Sequence, residues 1–244
     1  MTQTNNSCGQ AIPRGKLPRG ISFVFLLCAL SVINWTLPYL CSLALKPVFA
    51  LIPLGSNSGS VPLLINLTAQ ILTIAGLTFI GMKVSGSNWK DIGFAPEGAA
   101  SRRLLGGIAA GAIYGIFIKF SDYHPAVLVK GVTGILTAAR IVIISPFLEE
   151  LFFRGLIFRL LEHEASPRVN IFINSLIYAL AHYHFVNFLG YIGINAATAN
   201  PTTWVAISVY FALGTICAFI RHRSGSIWPA IAVHSTYNLV LFLL

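Results

Sequence analysis

Three short clusters of polar residues in the second half of the chain carry side chains that can do acid–base chemistry. Adjacent carboxylates open the first cluster, and each of the other two contains a histidine: Glu149-Glu150-Leu-Phe-Phe-Arg154, Tyr178-Ala-Leu-Ala-His182 and His234-Ser-Thr-Tyr-Asn238. Carboxylates and imidazoles suit proton transfer with a bound water, coordination of a metal ion, or a proton relay. Each cluster lies in an apolar stretch, where charged side chains are costly and therefore functional candidates.

Helical spacing separates the roles within these clusters. Glu150 and Arg154 are four residues apart, so in a helix they share a face and can form an ion pair. Glu149 lies about 100° around the same helix and is the freer carboxylate. His234 and Asn238 are also four residues apart and point the same way.

The composition predicts that the bilayer surrounds these helices. Charged residues make up 9% of the 244 residues and hydrophobic residues 56%, whereas soluble domains carry roughly 25% charged residues. A soluble fold with so few charges would expose large apolar patches, and a disordered chain would not be this apolar. The net charge of +9 comes from basic residues between apolar stretches. We therefore expect an integral membrane protein with no nucleic-acid partner.

The apolar stretches predict an all-α, polytopic transmembrane bundle of about seven spans, at residues 21–45, 61–82, 104–120, 126–161, 169–187, 203–220 and 226–244. Pro146 could break the fourth stretch and make the count eight. Most Lys and Arg residues fall on the cytoplasmic side if the N-terminus is cytoplasmic. The predicted organisation is a cytoplasmic tail (1–20), N-terminal membrane helices (21–125) and a membrane core that carries the three polar clusters (126–244).

The three clusters are predicted to lie at similar depths in the membrane. At 1.5 Å per residue from the nearest flanking charges, Glu149, His182 and Asn238 lie about 20–23 Å deep and His234 about 17 Å. Three helices thus carry their rarest side chains to one layer. In the third span, the spacing of Gly107, Gly111 and Gly115 predicts a small-residue stripe against which another helix packs closely.

The three clusters together resemble the CPBP family of intramembrane proteases, which includes the type 2 CAAX prenyl proteases and bacterial Abi-like proteins. The resemblance covers roughly residues 140–244, with a further short family-like element at Asp91-Ile92-Gly93-Phe94. Tyr178 is a departure, because the family usually has Phe there.

The resemblance implies a glutamate-type endopeptidase that needs no cofactor. Glu149 with His182 would activate a water molecule, and His234 with Asn238 would donate to the oxyanion, while Glu150, Arg154 and Tyr178 would support them. The implied substrate is a membrane-anchored or lipidated protein or peptide within the lipid bilayer. The expected location is a bacterial inner membrane, as a multi-pass protein.

Three other hypotheses stay open, and two of them use the same residues. Glu149, His182 and His234 could hold Zn²⁺ in a metalloprotease, although the chain has no HExxH motif. Glu149 and His182 could form the relay of a proton-coupled transporter or channel. The chain could also be a catalytically silent scaffold.

Overall fold

Every regular secondary-structure element is a helix in the part of the chain that the computed structural model describes, which is residues 47, 60–94, 100–121, 131–162, 164–191 and 201–243. This agrees with the predicted all-α fold. In chain order the helical elements are α1 (Ser60–Ser85), α2 (Ala100–Phe120), α3 (Gly131–Ala139), π1 (Arg140–Ile144), α4 (Ser145–Glu150), π2 (Leu151–Ile157), α5 (Phe158–Glu162), α6 (Pro167–Tyr191), α7 (Pro201–Ser224) and α8 (Trp228–Leu243).

Three of the described helices contain a stretch long and apolar enough to cross a membrane, at Leu67–Ser85, Arg102–Phe120 and Trp204–Ser224. Large apolar side chains on them, such as Phe117 and Trp204, are exposed, as expected for surfaces that face lipid. The first predicted span and the predicted tail lie outside the described residues. The count of seven, the cytoplasmic N-terminus and the division at residue 126 stay predictions.

Residues 131–162 form consecutive helical elements with no loop between them, so Pro146 does not divide this segment in two. Pro146 is the second residue of α4, which follows π1 without a break. The regular hydrogen-bond ladder is already altered there, so a residue without an amide hydrogen is accommodated inside the helix. The two glutamates end α4 and are therefore bracketed by π-helical turns, which often mark functional sites.

Side chains from neighbouring helices bind the carbonyl groups in and next to π2. A carbonyl that lacks a donor is costly inside a membrane bundle, so each must find one. Three long-range hydrogen bonds supply donors: Asn174 Nδ2 to the Phe153 carbonyl at 2.7 Å, Asn170 Nδ2 to the Phe158 carbonyl at 3.0 Å and Arg221 Nε to the Arg154 carbonyl at 3.1 Å. These buried donors fix π2 against α6 and α7.

The glycine stripe of α2 packs directly against α8, as the spacing predicted. A Cβ atom at Gly107 would collide with the Pro229 carbonyl oxygen, and one at Gly111 would collide with that of Val233. A Cβ atom at Gly115 would lie 2.9 Å from the Val240 side chain. The missing side chains let the two backbones approach closely, and this contact sets the position of the helix that carries His234.

The short segment before α2 closes one end of the bundle. The Gly93 carbonyl accepts a hydrogen bond from Ile227 N at 3.0 Å, and the Phe94 carbonyl accepts one from Trp228 Nε1 at 2.8 Å. Gly93 has a φ of +76°, and a Cβ atom there would lie 2.8 Å from the Arg221 guanidinium carbon. A glycine is needed for both reasons, and the segment anchors the start of α8.

Candidate active site

Glu149, His182 and His234 meet around one carboxylate oxygen. Glu149 lies near the end of α4, His182 in α6 and His234 in α8. The Oε2 atom of Glu149 lies 3.4 Å from His182 Nε2 and 4.0 Å from His234 Nε2. The side chains are 6%, 12% and 5% exposed respectively, so His182 is the most accessible of the three. Three of the four residues predicted to be catalytic are thus brought together from three separate helices.

Tyr178 contacts all three of these residues. Its hydroxyl oxygen lies 3.4 Å from Glu149 Oε2 and 3.4 Å from His234 Nε2. Its backbone carbonyl lies 2.9 Å from His182 Nδ1. A hydroxyl has one hydrogen to donate, so Tyr178 donates to Glu149 or to His234 at any moment, but not to both. The tyrosine that departs from the family pattern is therefore at the centre of the cluster.

The partners of each imidazole fix which nitrogen carries its proton. A carbonyl oxygen can only accept, so His182 Nδ1 is protonated and Nε2 is the atom that faces Glu149. His234 Nδ1 lies 3.0 Å from Glu150 Oε1 and donates to that carboxylate. His234 Nε2 then faces Tyr178 and Glu149. Both histidines are oriented by one nitrogen and present the other to the cluster.

Glu150 and Arg154 form the ion pair that the i,i+4 spacing predicted. Arg154 Nε lies 3.2 Å from Glu150 Oε2, and both side chains are completely buried. Arg154 Nη2 donates to the Gly214 carbonyl at 3.1 Å, and the guanidinium carbon lies 4.2 Å from the centre of the Tyr178 ring. Because Glu150 also accepts from His234, this ion pair supports one of the two imidazoles.

Asn238 lies one turn beyond His234 on α8, and its side chain binds the backbone of π1. Its Nδ2 donates to the Ile141 carbonyl at 2.8 Å. This contact uses one amide hydrogen to hold π1 in place. An oxyanion donor at this residue would have to use the remaining amide hydrogen.

Tyr210 on α7 is a neighbour of the cluster that sequence reasoning missed. Its ring stacks on the imidazole of His182, with centroids 4.3 Å apart and 27° between the planes. The Tyr178 ring lies against the same imidazole at 4.3 Å. His182 is therefore held by two aromatic rings. An aromatic residue in an apolar helix carries no sequence signal for this role.

The described part of the chain contains no preformed set of ligands for zinc. No group of three or more His, Cys, Asp or Glu side chains there has an arrangement that could hold a metal ion. The Oε2 atom of Glu149 lies 3.4 Å from His182 Nε2, a distance from which a carboxylate and an imidazole can exchange a proton.

The comparison with protein families agrees with this part of the structure. Residues 131–240 match the family model described as type II CAAX prenyl endopeptidase Rce1-like, which confirms the family resemblance predicted from the three clusters. The matched segment runs from the start of α3 into α8 and contains every residue of the cluster. The chain matches no curated protein and no solved structure. The match points to a membrane-embedded peptidase of the CAAX type.

Proposed function

We propose, from this family match and the geometry of the cluster, that the chain is a glutamate-type intramembrane endopeptidase. Its reaction is hydrolysis of a peptide bond in a membrane-anchored or lipidated protein or peptide, without a cofactor. The observation that carries the proposal is the convergence of His182 and His234 on one oxygen of Glu149. This convergence lies inside a helical bundle whose 131–240 segment matches a family of membrane peptidases.

In the proposed mechanism, Glu149 and His182 together remove a proton from a water molecule. The water oxygen bonds to the substrate carbonyl carbon, and the abstracted proton is passed to the amide nitrogen as the carbon–nitrogen bond breaks. His182 Nδ1 is engaged by the Tyr178 carbonyl, so Nε2 is the atom that exchanges the proton with Glu149. General-base assistance of this kind contributes about 10²–10⁴-fold in rate.

His234 and Asn238 are the proposed donors to the oxyanion of the tetrahedral intermediate. His234 Nδ1 donates to Glu150, so Nε2 can donate only when the imidazole is protonated on both nitrogens. One such donor is worth about 10²–10³-fold in rate.

Tyr178 is the proposed support for both halves of the mechanism. Its hydroxyl lies between the base, Glu149, and the oxyanion donor, His234, and can donate to either. Its carbonyl keeps His182 in the tautomer that the base requires. The ring packs beneath Arg154, which holds Glu150 in turn.

The substrate is proposed to reach the cluster from within the bilayer. Several described helices expose large apolar side chains, which suits a protein whose outer surface faces lipid in a bacterial inner membrane. The cluster itself is shielded, with His182 its most exposed member. Because His182 lies on α6, we expect a membrane-anchored substrate to approach along this helix.

The decisive experiment compares two neutralised glutamates in the full chain. Glu149→Gln removes the proposed base, whereas Glu162→Gln removes an exposed carboxylate that pairs with Arg159 at the end of α5. We expect uncut precursor proteins to accumulate in cells carrying the first variant and not in cells carrying the second. Normal processing by Glu149→Gln would refute the proposal and favour a silent scaffold.

Two further measurements separate the competing activities. Cleavage that a chelator abolishes and zinc restores would replace the glutamate mechanism with a metal-dependent one. Flux driven by a pH gradient in proteoliposomes, without peptide cleavage, would identify a transporter. We expect cleavage that withstands the chelator and no proton-driven flux.

A further inference from the structure

A second site lies away from the catalytic cluster, in a groove of about 660 Å³ between the start of α6 and the end of α7. Its polar lining includes Ser166, Arg168, His222 and Arg223, and its apolar wall includes Ile171 and Phe219. Arg168 is 14 residues from His182 along α6, a separation of about 21 Å. The groove is therefore not an extension of the candidate active site.

The groove is basic. Two arginines and one histidine are among the described residues that line it, and none of those described residues is acidic. Arg168 and Arg223 are exposed, and neither forms an ion pair with any residue in the described ranges. The guanidinium of Arg223 lies 5.5 Å from the centre of the Phe219 ring, which holds this charge at the edge of the groove. The site is thus matched to a negatively charged group.

The position of the groove gives it a lipid-facing side. It lies at the end of the candidate membrane span Trp204–Ser224. Phe219 in its lining is 48% exposed, and Val169 and Phe172, which directly follow the lining residues Arg168 and Ile171 along α6, are 47% and 56% exposed. Cationic side chains therefore stand above an apolar surface, which is the arrangement needed for a charged headgroup with acyl chains below it. A soluble anion would use the charges and leave the apolar surface uncovered.

We propose that this groove binds an anionic phospholipid, with the headgroup phosphate at Arg168 and Arg223 and the acyl chains along Val169, Phe172 and Phe219. Such a lipid contacts α6 and α7 at once. It thereby joins the helix that carries His182 to the helix that carries Tyr210, at a point remote from the peptide-cleaving residues. The lipid is a bound component of the bundle and not a substrate.

The test measures retention of phosphatidylglycerol by the purified full chain in detergent, by native mass spectrometry, with phosphatidylcholine as the neutral competitor. We expect Arg168→Gln and Arg223→Gln each to weaken retention about fivefold, the usual contribution of one basic residue near an anionic lipid. Replacing both arginines by lysine keeps the charge and should keep most of the binding.

Arg102→Gln is the matched control, because Arg102 is exposed and lies outside the groove. It is also near the same end of the bundle, since its neighbour Arg103 donates to the Ser224 carbonyl at 2.7 Å. Equal weakening by Arg102→Gln would overturn the proposal, as would equal retention of phosphatidylcholine. Displacement of the lipid by inorganic phosphate at the same concentration would also overturn it, in favour of a simple anion site.

Discussion

The Nδ1 atom of His234 lies 3.0 Å from the Oε1 atom of Glu150, so the second of the two adjacent glutamates orients an imidazole. The other oxygen of Glu150 faces Arg154 at 3.2 Å. Both oxygens of this carboxylate are therefore engaged by side chains. Glu149 keeps its contacts to His182, His234 and Tyr178, and this difference assigns the two glutamates different roles.

Glu150→Gln should destabilise the protein, in contrast to Glu149→Gln. The substitution leaves the charge of Arg154 buried without its partner carboxylate, and breaking such a buried pair costs about 3–5 kcal/mol. Thermal unfolding in detergent should show a clear loss for Glu150→Gln. If both glutamine variants unfold at the same temperature, the two carboxylates do not have the separate roles given to them here.

Tyr178→Phe should lower the rate of cleavage and leave the fold intact. Only the hydroxyl is lost, because the ring still packs under Arg154 and the backbone carbonyl still accepts from His182. A hydrogen bond worth about 0.5–1.5 kcal/mol corresponds to about a two- to tenfold change in kcat. Steady-state kinetics on a peptide substrate would measure it.

Tyr114→Phe is the control for this loss, since it removes a hydroxyl that donates to the Val209 carbonyl outside the cluster. A fall in kcat of the same size in both variants would mean that the hydroxyl of Tyr178 has no special part in the reaction.

Tyr210→Leu should lower kcat more than it changes KM. The ring holds the imidazole plane of His182, so its loss should disturb the base more than substrate binding. Stacked aromatic pairs contribute about 0.5–1.5 kcal/mol, so the expected fall in kcat is up to about tenfold.

Tyr210→Phe keeps the stacked ring, so it should retain more of the rate than Tyr210→Leu. A rise in KM without a fall in kcat for Tyr210→Leu would instead place this side chain in the substrate-binding surface.

Gly111→Ala should destabilise the bundle and reduce activity at the same time. The added Cβ atom meets the Val233 carbonyl oxygen, so α2 and α8 must move apart next to His234. Overpacking of this kind costs about 1–3 kcal/mol. Gly106→Ala is the matched control on the same helix, because a Cβ atom there has nothing within 4 Å. Equal unfolding temperatures for the two variants would contradict the close packing of these helices.

Helical periodicity was sufficient to predict which polar residues share a layer and which pair along one helix. The 1.5 Å rise placed Glu149, His182 and His234 at similar depths, and the four-residue spacing predicted the ion pair of Glu150 with Arg154. Both follow from distances along a single helix. The glycine stripe was recognisable for the same reason, although the helix packed against it was not.

Contacts that depend on which helices are neighbours could not be predicted. Asn238 binds the Ile141 carbonyl and Asn174 binds the Phe153 carbonyl because these groups lie in π-helical turns next to other helices. No periodic pattern in the sequence indicates a π turn. Arg221, which charge counting treats only as a marker of topology, is buried and donates to the Arg154 carbonyl for the same reason.

The π turns on both sides of α4 also determine which carboxylate faces His182. Glu149 and Glu150 are consecutive, so their side chains point about 100° apart around the helix axis. If the six-residue α4 rotated by that angle, Glu150 would face His182 in place of Glu149 and would turn away from Arg154. Asn238 ties the backbone on one side, and Asn174 with Arg221 ties it on the other. A segment anchored at both ends cannot turn about its own axis, so the two neighbouring acids cannot exchange places.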